Sequence, residues 1–232
     1  MQLFYEPEIL VNGGVLSPEE SNHCIRVLRH QTGDVINILN SEGHLFEARI
    51  IEALPKKRRV EMQTKKEETA PLNICHIAIA PTKNIDRTEW FVEKSTEIGI
   101  EEITPIFCSN SERKVIKPER LEKVIIAAAK QSISLWRPVL NPAITFREFV
   151  KKPFAGDKFI AHCQEGNTEH LKSAAQKGNN TLILIGPEGD FSDAEIKMAL
   201  EYGFKPISLG RKRLRTETAA LTACHIIRLI ND

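Results

Sequence analysis

The chain has 232 residues, 41% of them hydrophobic and 27% charged, values of a globular protein and too apolar for a disordered one. No apolar run approaches the roughly 18 residues that span a bilayer, and Glu6 falls where a signal peptide would be basic then apolar, so neither a transmembrane nor a secreted protein is expected, and a cytoplasmic location follows. A formal net charge of +1 gives no bulk electrostatic sign of nucleic acid, which leaves local clusters to carry any such role.

Ser17-Pro18-Glu19-Glu20 reads as a helix start, with Ser17 as N-cap, Pro18 in the first turn and Glu20 closing a capping box. The helix runs toward Arg29-His30 and breaks at Gly33-Asp34. Val35–Leu39, Leu45–Ile51 and Arg59–Gln63 are strand-like, separated by turns at residues 40–43 and 55–57. Several short strands with one helix predict a small β-barrel over residues 1–70, closed by a polar linker at residues 64–69. The basic run at residues 56–59 reads as a solvated surface.

Residues 71–232 alternate strands and helices, which predicts an α/β domain with a parallel sheet covered on both faces. Strands are expected at 74–80, 103–108, 158–162, 181–185 and 206–209. Helices are expected from a second capping box at Asp86–Glu89 to Gly99, over 118–132, from about Thr168, from the Ser192 cap to Gly203, and from Thr216 onward. The five cysteines are scattered and never spaced Cys-x-x-Cys, so reduced thiols and no metal are expected, with Cys75 and Cys224 filling core positions.

In open parallel sheets ligands sit beyond the carboxyl ends of strands, and two loops there have unusual composition. Gly186-Pro187-Glu188-Gly189 joins two glycines that let backbone approach a ligand to a proline that stiffens the turn, although a plain strand-to-helix turn has the same composition. It fits neither a dinucleotide fingerprint nor a Walker A loop. Leu209–Ala219 ends a strand at Gly210 and carries Arg211, Lys212, Arg213 and Arg215 into a helix start. Arg215 suits a phosphate or developing negative charge, while Glu217 in a first turn also gains from the helix dipole alone.

Ile185-Gly186-Pro187-Glu188-Gly189, Leu209-Gly210 and Leu214-Arg215-Thr216-Glu217-Thr218-Ala219 resemble the signature loops of the bacterial small-subunit ribosomal RNA uridine-N3 methyltransferases, a family of the SPOUT superfamily. Matches continue at His23 with Val27-Leu28-Arg29, at Lys83, Glu89-Trp90, Glu93-Lys94, Glu97–Ile100, Ile103, Pro105 and Gln131-Ser132, so the resemblance spans the whole chain. The sequence departs from the pattern at Asp190, where the family repeats glycine, at Lys130, where it has Glu, and at Ser134, near a usual arginine for which Arg137 would stand in.

The resemblance implies S-adenosylmethionine bound in a C-terminal trefoil knot, a homodimer with active sites at the subunit interface, and a PUA-like barrel over residues 1–70 that helps hold 16S ribosomal RNA on the small subunit, with no membrane or metal involved. The cofactor would be held by His162, Ile185, Gly186, Pro187, Glu188, Gly189, Leu209, Gly210, Leu214 and Thr216, with Cys163 beside His162. Arg215 and Glu217 would be catalytic, the guanidinium stabilising the uracil anion and the carboxylate orienting it or taking the N3 proton. Arg26, Arg29, His30, Lys83, Lys94, Arg211 and Arg213 would contact RNA. Rival readings are an RNA-binding ribosome-assembly factor of the same fold and a SPOUT enzyme acting on transfer RNA. A nucleotide-dependent oxidoreductase is disfavoured because no dinucleotide fingerprint follows any strand.

Overall fold

The computed structural model describes residues 2–54, 57–163 and 169–232, which leaves the expected helix start at Thr168 and part of the 55–57 turn outside it. The chain forms two compact units, residues 1–70 with 126–137, and residues 71–125 with 138–232. The first unit thus takes in residues 126–137, beyond the boundary expected at residue 70.

The first unit is a five-stranded sheet in the order β1 (Leu3–Tyr5), β3 (Val35–Leu39), β4 (His44–Leu54), β5 (Lys57–Glu67), β2 (Val15–Leu16), with β1 parallel to β3 and the other pairs antiparallel. Alternation sets its faces: Phe46, Ala48 and Ile50 are buried with Ile36 and Ile38, while Glu47 and Arg49 face water. Two irregularities in the β4–β5 register, at Glu47/Ala48 and Ile50/Glu52, bend this long hairpin. Strand β5 continues to Glu67, paired with His44, so the expected linker is mostly strand.

Helix α1 (Pro18–Asn22) starts as read, with Ser17 accepting from the Glu20 amide. The reciprocal arm differs, because the Ser17 amide donates to Glu6 Oε2 (2.6 Å), while Glu20 accepts from the Tyr5 amide and pairs with Lys130 Nζ (2.7 Å). That ion pair accounts for Lys130, the departure noted in the sequence. A π-helical turn (His23–Val27) follows, and Arg29 reverses the chain at φ 56°.

The basic run is not all solvated. Arg58 is 2% exposed and donates to the His30 carbonyl (2.7 Å) and to Cys24 Sγ (3.5 Å), so it is a core arginine whose hydrogen bonds offset its burial. Residues 126–137 complete the unit: Ala129 and Leu135 pack on Leu39, and Trp136 Nε1 donates to the Glu68 carbonyl (3.1 Å). Gly43, at φ 86°, must be glycine because a Cβ there would lie 2.7 Å from the Trp136 ring.

The second unit is a parallel sheet in the order β12 (Lys205–Ile207), β10 (Asp157–Ala161), β11 (Thr181–Ile185), β6 (Cys75–Ile79), β7 (Glu102–Phe107), β8 (Val139–Leu140), with β9 (Ile144–Thr145) also on β7. The two central strands, β6 and β11, are buried along their whole length. One face packs Ile77, Ile183 and Ile185 under α2 (Ile85–Ile98), α3 (Pro118–Ser132) and α7 (Thr216–Asn231). The other packs Ala78, Leu182 and Leu184 under α4 (Phe146–Phe149) and α6 (Asp193–Glu201). Every crossover returns the chain to the same edge, so the carboxyl ends of β12, β10, β11 and β6 lie side by side.

Helix ends follow local chemistry. Helix α6 carries a complete Ser192–Glu195 capping box, and α2 stops at Gly99 in the left-handed region, φ 97°. Helix α2 begins two residues earlier than expected, capped by Asn84, and the expected Asp86–Glu89 box does not form, both carboxylates pairing with Arg120. A four-residue helix α5 (Leu171–Ala174) precedes β11. Cys24, Cys75, Cys108 and Cys224 are buried free thiols, and Cys163 is exposed. A hydrogen bond with Cys224, with burial behind it, drives the Cys75 thiol pKa well up.

Candidate functional site

Two adjoining cavities open at the carboxyl edge of the second unit's sheet. The larger, of about 450 Å³, is lined by Ala161, His162 and Cys163 after β10 and by residues 207–214 after β12. The smaller, of about 320 Å³, is lined by Ile185–Glu188 and Asp190 after β11 and by Arg213–Thr216 at the start of α7. Ala161, Cys163, Arg213, Leu214 and Ala219 belong to both. Each volume lies within the ~300–1,000 Å³ typical of small-molecule sites.

The loop after β11 is held from every side. The Ala80 amide donates to the Ile185 carbonyl (2.9 Å), which ties its first residue to the end of β6. The Asp190 amide donates to the Pro187 carbonyl (2.9 Å), closing a four-residue turn. Glu188 Oε1 accepts from the Lys83 amide (2.9 Å), and Asn110 Nδ2 donates to the carbonyls of Gly189 (3.3 Å) and Asp190 (3.1 Å). Arg213 Nη2 reaches the Glu188 carbonyl at 3.4 Å, linking this loop to the one after β12.

Asp190 keeps the conformation that glycine would supply, at φ 62°, which its carboxylate supports by accepting from the Phe191 amide (2.8 Å) and the Cys163 amide (2.9 Å). The departure from glycine therefore adds a strap between β10 and β11. Cys163 sits between opposite charges, its thiol pKa raised by partial burial and by Asp190 and lowered by Arg213.

Most of the expected cofactor residues come together. His162, Leu209 and Gly210 line the larger cavity, Ile185, Gly186, Pro187, Glu188 and Thr216 the smaller, and Leu214 both. Gly189 lines neither and packs against Asn110. Arg215 is exposed at the smaller cavity as the N-cap of α7, without a side-chain cap bond. Glu217 lines neither cavity. It is 7% exposed, its Oε2 has no partner, and Arg87 Nε of α2 lies 3.9 Å from its Oε1.

Of the expected RNA contacts, Arg211 and Arg213 border the larger cavity. Lys83 pairs with Glu112 (2.7 Å) and Lys94 with Glu93 (2.7 Å) and Glu97 (2.9 Å), so both charges are locally answered. In the first unit Arg26 and Arg29 are exposed, and His30 pairs with Asp34 (3.1 Å). Gln131 and Ser132 end α3 within the first unit.

Sequence reasoning passed over Arg87, Asn110 and Arg113. Arg113 donates to the carbonyls of Thr82 (3.1 Å) and Lys83 (2.8 Å) and so fixes the loop that meets Glu188. No local pattern marks these residues, since each acts on an element distant in sequence. Asp190 alone carried a signal, as a non-glycine in a glycine loop. Among the described residues no group of three His, Cys, Asp or Glu side chains is placed to hold a metal ion, and no helix is long and apolar enough to cross a membrane.

A family model described as an RNA methyltransferase domain matches residues 68–228, and one described as an RNA methyltransferase PUA domain matches residues 16–59. A Mesomycoplasma hyopneumoniae protein named Ribosomal RNA small subunit methyltransferase E is 31% identical over 97% of this chain and 99% of its own. The chain belongs to this RNA methyltransferase family. A solved Porphyromonas gingivalis protein, described as a "probable rRNA-methyltransferase", is 40% identical with a TM-score of 0.91 and covers 100% of this chain and 98% of that one. The Neisseria gonorrhoeae Ribosomal RNA small subunit methyltransferase E, solved bound to S-adenosyl methionine, is 28% identical with a TM-score of 0.79, covering 100% and 98%. The α/β fold with a parallel sheet and a small PUA-like unit is thus the fold of this methyltransferase family.

Proposed function

We propose that this methyltransferase transfers a methyl group from S-adenosylmethionine to N3 of a uridine in 16S ribosomal RNA, as a cytoplasmic enzyme acting on the small subunit. The observation that carries the reading is the pair of adjoining cavities lined by the loops after β10, β11 and β12. Glycines at 186 and 210 keep side chains out of the walls, and adenine and ribose edges suit backbone donors and acceptors, so the residues present fit the cofactor. Residues 185–188, 209–210 and 214 would hold it, with His162 and Thr216 at the sides. When bound it supplies an electrophilic methyl on a sulfonium.

The chain's own part is positioning and charge. Uracil N3 carries an imide proton, whose loss spreads negative charge over the flanking carbonyl oxygens. Arg215, which lines the smaller cavity and is exposed there, would stabilise that charge. Glu217 keeps one unpartnered carboxylate oxygen with which it would orient the arginine or accept the imide proton. Because N3 is engaged in a duplex pair, the target base must be unpaired or extruded. With Lys83, Lys94 and His30 answered by acids, RNA contact falls mainly to Arg26 and Arg29 in the PUA-like domain and to Arg211 and Arg213.

The same reading includes the SPOUT trefoil knot and a homodimer. The route of the chain supports the first: it runs from edge strand β12 past the β11 loop to α7, which packs in one cluster with α2 and the central strands. Exposed Trp90 and Leu229, on α2 and α7, support the second.

The test supplies radiolabelled cofactor with free RNA and with small subunits from a strain lacking this protein, followed by nucleoside analysis. Label in N3-methyluridine of the small subunit, abolished by Arg215→Ala with cofactor binding intact, is the expected result. Label in transfer RNA or on another base would overturn the substrate, and unchanged transfer by Arg215→Ala would remove that residue from the mechanism.

A further inference from the structure

A third cavity, of about 440 Å³, opens at the end of β7. Its walls come from Phe107–Ser109 and Lys114, from Thr145–Arg147, and from Ser192–Met198 of α6. It neighbours the proposed methyl-transfer site through two direct links. Ser192 follows the β11 loop two residues after Asp190, and Asn110, next to Ser109, holds that loop by its carbonyls.

The charges in this cavity are unbalanced. Its one acid, Glu195, is fully engaged, with Oε1 accepting from the Ser109 amide (2.8 Å) and Oε2 from the amide and hydroxyl of Ser192 (2.9 Å each). Thr145 is likewise taken up with Glu148, accepting from its amide (3.3 Å) and donating to Oε2 (2.6 Å). Lys114 and Arg147 are exposed and form no hydrogen bond or ion pair among the described residues. Exposed cations occur elsewhere in this unit, but Lys114 and Arg147 are the two that line this cavity. Two free cations at the mouth of a concave site, with its carboxylate already spent, are complementary to an anion with several acceptor oxygens.

We infer that Lys114 and Arg147 bind a phosphodiester of the RNA strand that carries the target base, making this cavity a second RNA contact on the far side of the β11 loop from the cofactor. The inference rests on the RNA-methyltransferase reading above and adds a subsite to it. A contact here fixes the strand at a point other than the reacting base, which is how remote binding serves orientation at the reacting atom.

The experiment compares the intact protein with the double variant Lys114→Ala/Arg147→Ala. A control, Lys177→Ala/Lys205→Ala, removes two exposed cations from the opposite, amino-terminal edge of the sheet. RNA KM is measured with labelled cofactor across about 50–200 mM potassium chloride, and cofactor affinity by calorimetry. The expected result for the double variant is a salt slope shallower by about 1.4, at about 0.7 per lost single-strand contact, with RNA KM raised roughly tenfold at low salt. Cofactor affinity and melting temperature stay unchanged, and the control keeps the original slope. An unchanged slope and KM in the double variant would overturn the inference, as would an equal change in the control. Failure of the intact protein to label any RNA would instead overturn the underlying reading, and the inference with it.

Discussion

Gly186→Ala tests whether the β11 loop is a shaped surface or a mere connector. Gly186 is absent from the positive-φ residues, so alanine has no conformational objection there. The obstacle is steric, since a Cβ would lie 3.0 Å from Cδ2 and Cε2 of Phe191 and 3.3 Å from its amide nitrogen. Phe191 is 3% exposed and packs on Phe146 with ring centroids 5.4 Å apart, so its ring has nowhere to swing. The loop must move instead, straining the hydrogen bonds that hold its main chain. Overpacking of this kind costs about 1–3 kcal/mol. If the apo loop is already in its binding shape, that cost falls on cofactor affinity, a weakening of about 5- to 150-fold, as well as on melting temperature. Calorimetric titration with S-adenosylhomocysteine reads the first and thermal unfolding the second. Gly210→Ala is the complementary probe: nothing lies within 4 Å of a Cβ there, but φ is 129°, so its effect must come from backbone strain. Unaltered affinity and stability in Gly186→Ala would refute the argument that Phe191 fixes this loop.

Cys163, the one exposed thiol, should react with a thiol reagent in a single fast phase, slowed about a hundredfold when S-adenosylhomocysteine is present at a hundred times its Kd; a fast phase indifferent to ligand would place the cofactor elsewhere. His76 is 5% exposed and hydrogen-bonded to Thr104 (2.8 Å), and burial lowers its pKa from 6.5 to about 4. The fold thus refuses a proton that the unfolded chain accepts, so its contribution is complete above pH 6.5 and is lost as pH falls toward 4, amounting to about 2 kcal/mol at pH 5. Urea unfolding at pH 7 and 5 should show a smaller loss in His76→Gln than in the original protein, and equal losses would refute the assignment. Arg58→Ala should cost about 3 kcal/mol by orphaning the His30 carbonyl and opening a cavity, against at most about 0.5 for exposed Arg59→Ala. Similar denaturation midpoints for the two would return Arg58 to the surface.

The contrast between Arg58 and Gly186 marks what a sequence carries. Residues that act on their chain neighbours were legible: Ser192 and Glu195 form the capping box they spell, Gly99 ends α2, and the continuous apolar run 181–185 is a central parallel strand. The turn after β11 was legible for the same reason, because a glycine-proline turn after a buried strand limits the backbone locally whatever surrounds it. Arg58 looks like its basic neighbours in sequence, and only the placement of the His30 carbonyl and Cys24 makes it a core residue. Glu20 was read as half of a local box, yet its carboxylate is drawn away by the Tyr5 amide and by Lys130, 110 residues on. Glu217 is the sharpest case. Its first-turn position is local and was correctly read, whereas its separation from both cavities and its closeness to Arg87 depend on how α7 packs against α2. The chemistry proposed for it therefore stands on its unpartnered oxygen, which the sequence could not reveal. If Glu217 serves the imide proton, Glu217→Gln should lower kcat and flatten its pH dependence while sparing cofactor affinity. If it only secures α7 against α2, the variant should lower melting temperature and leave the pH profile in place.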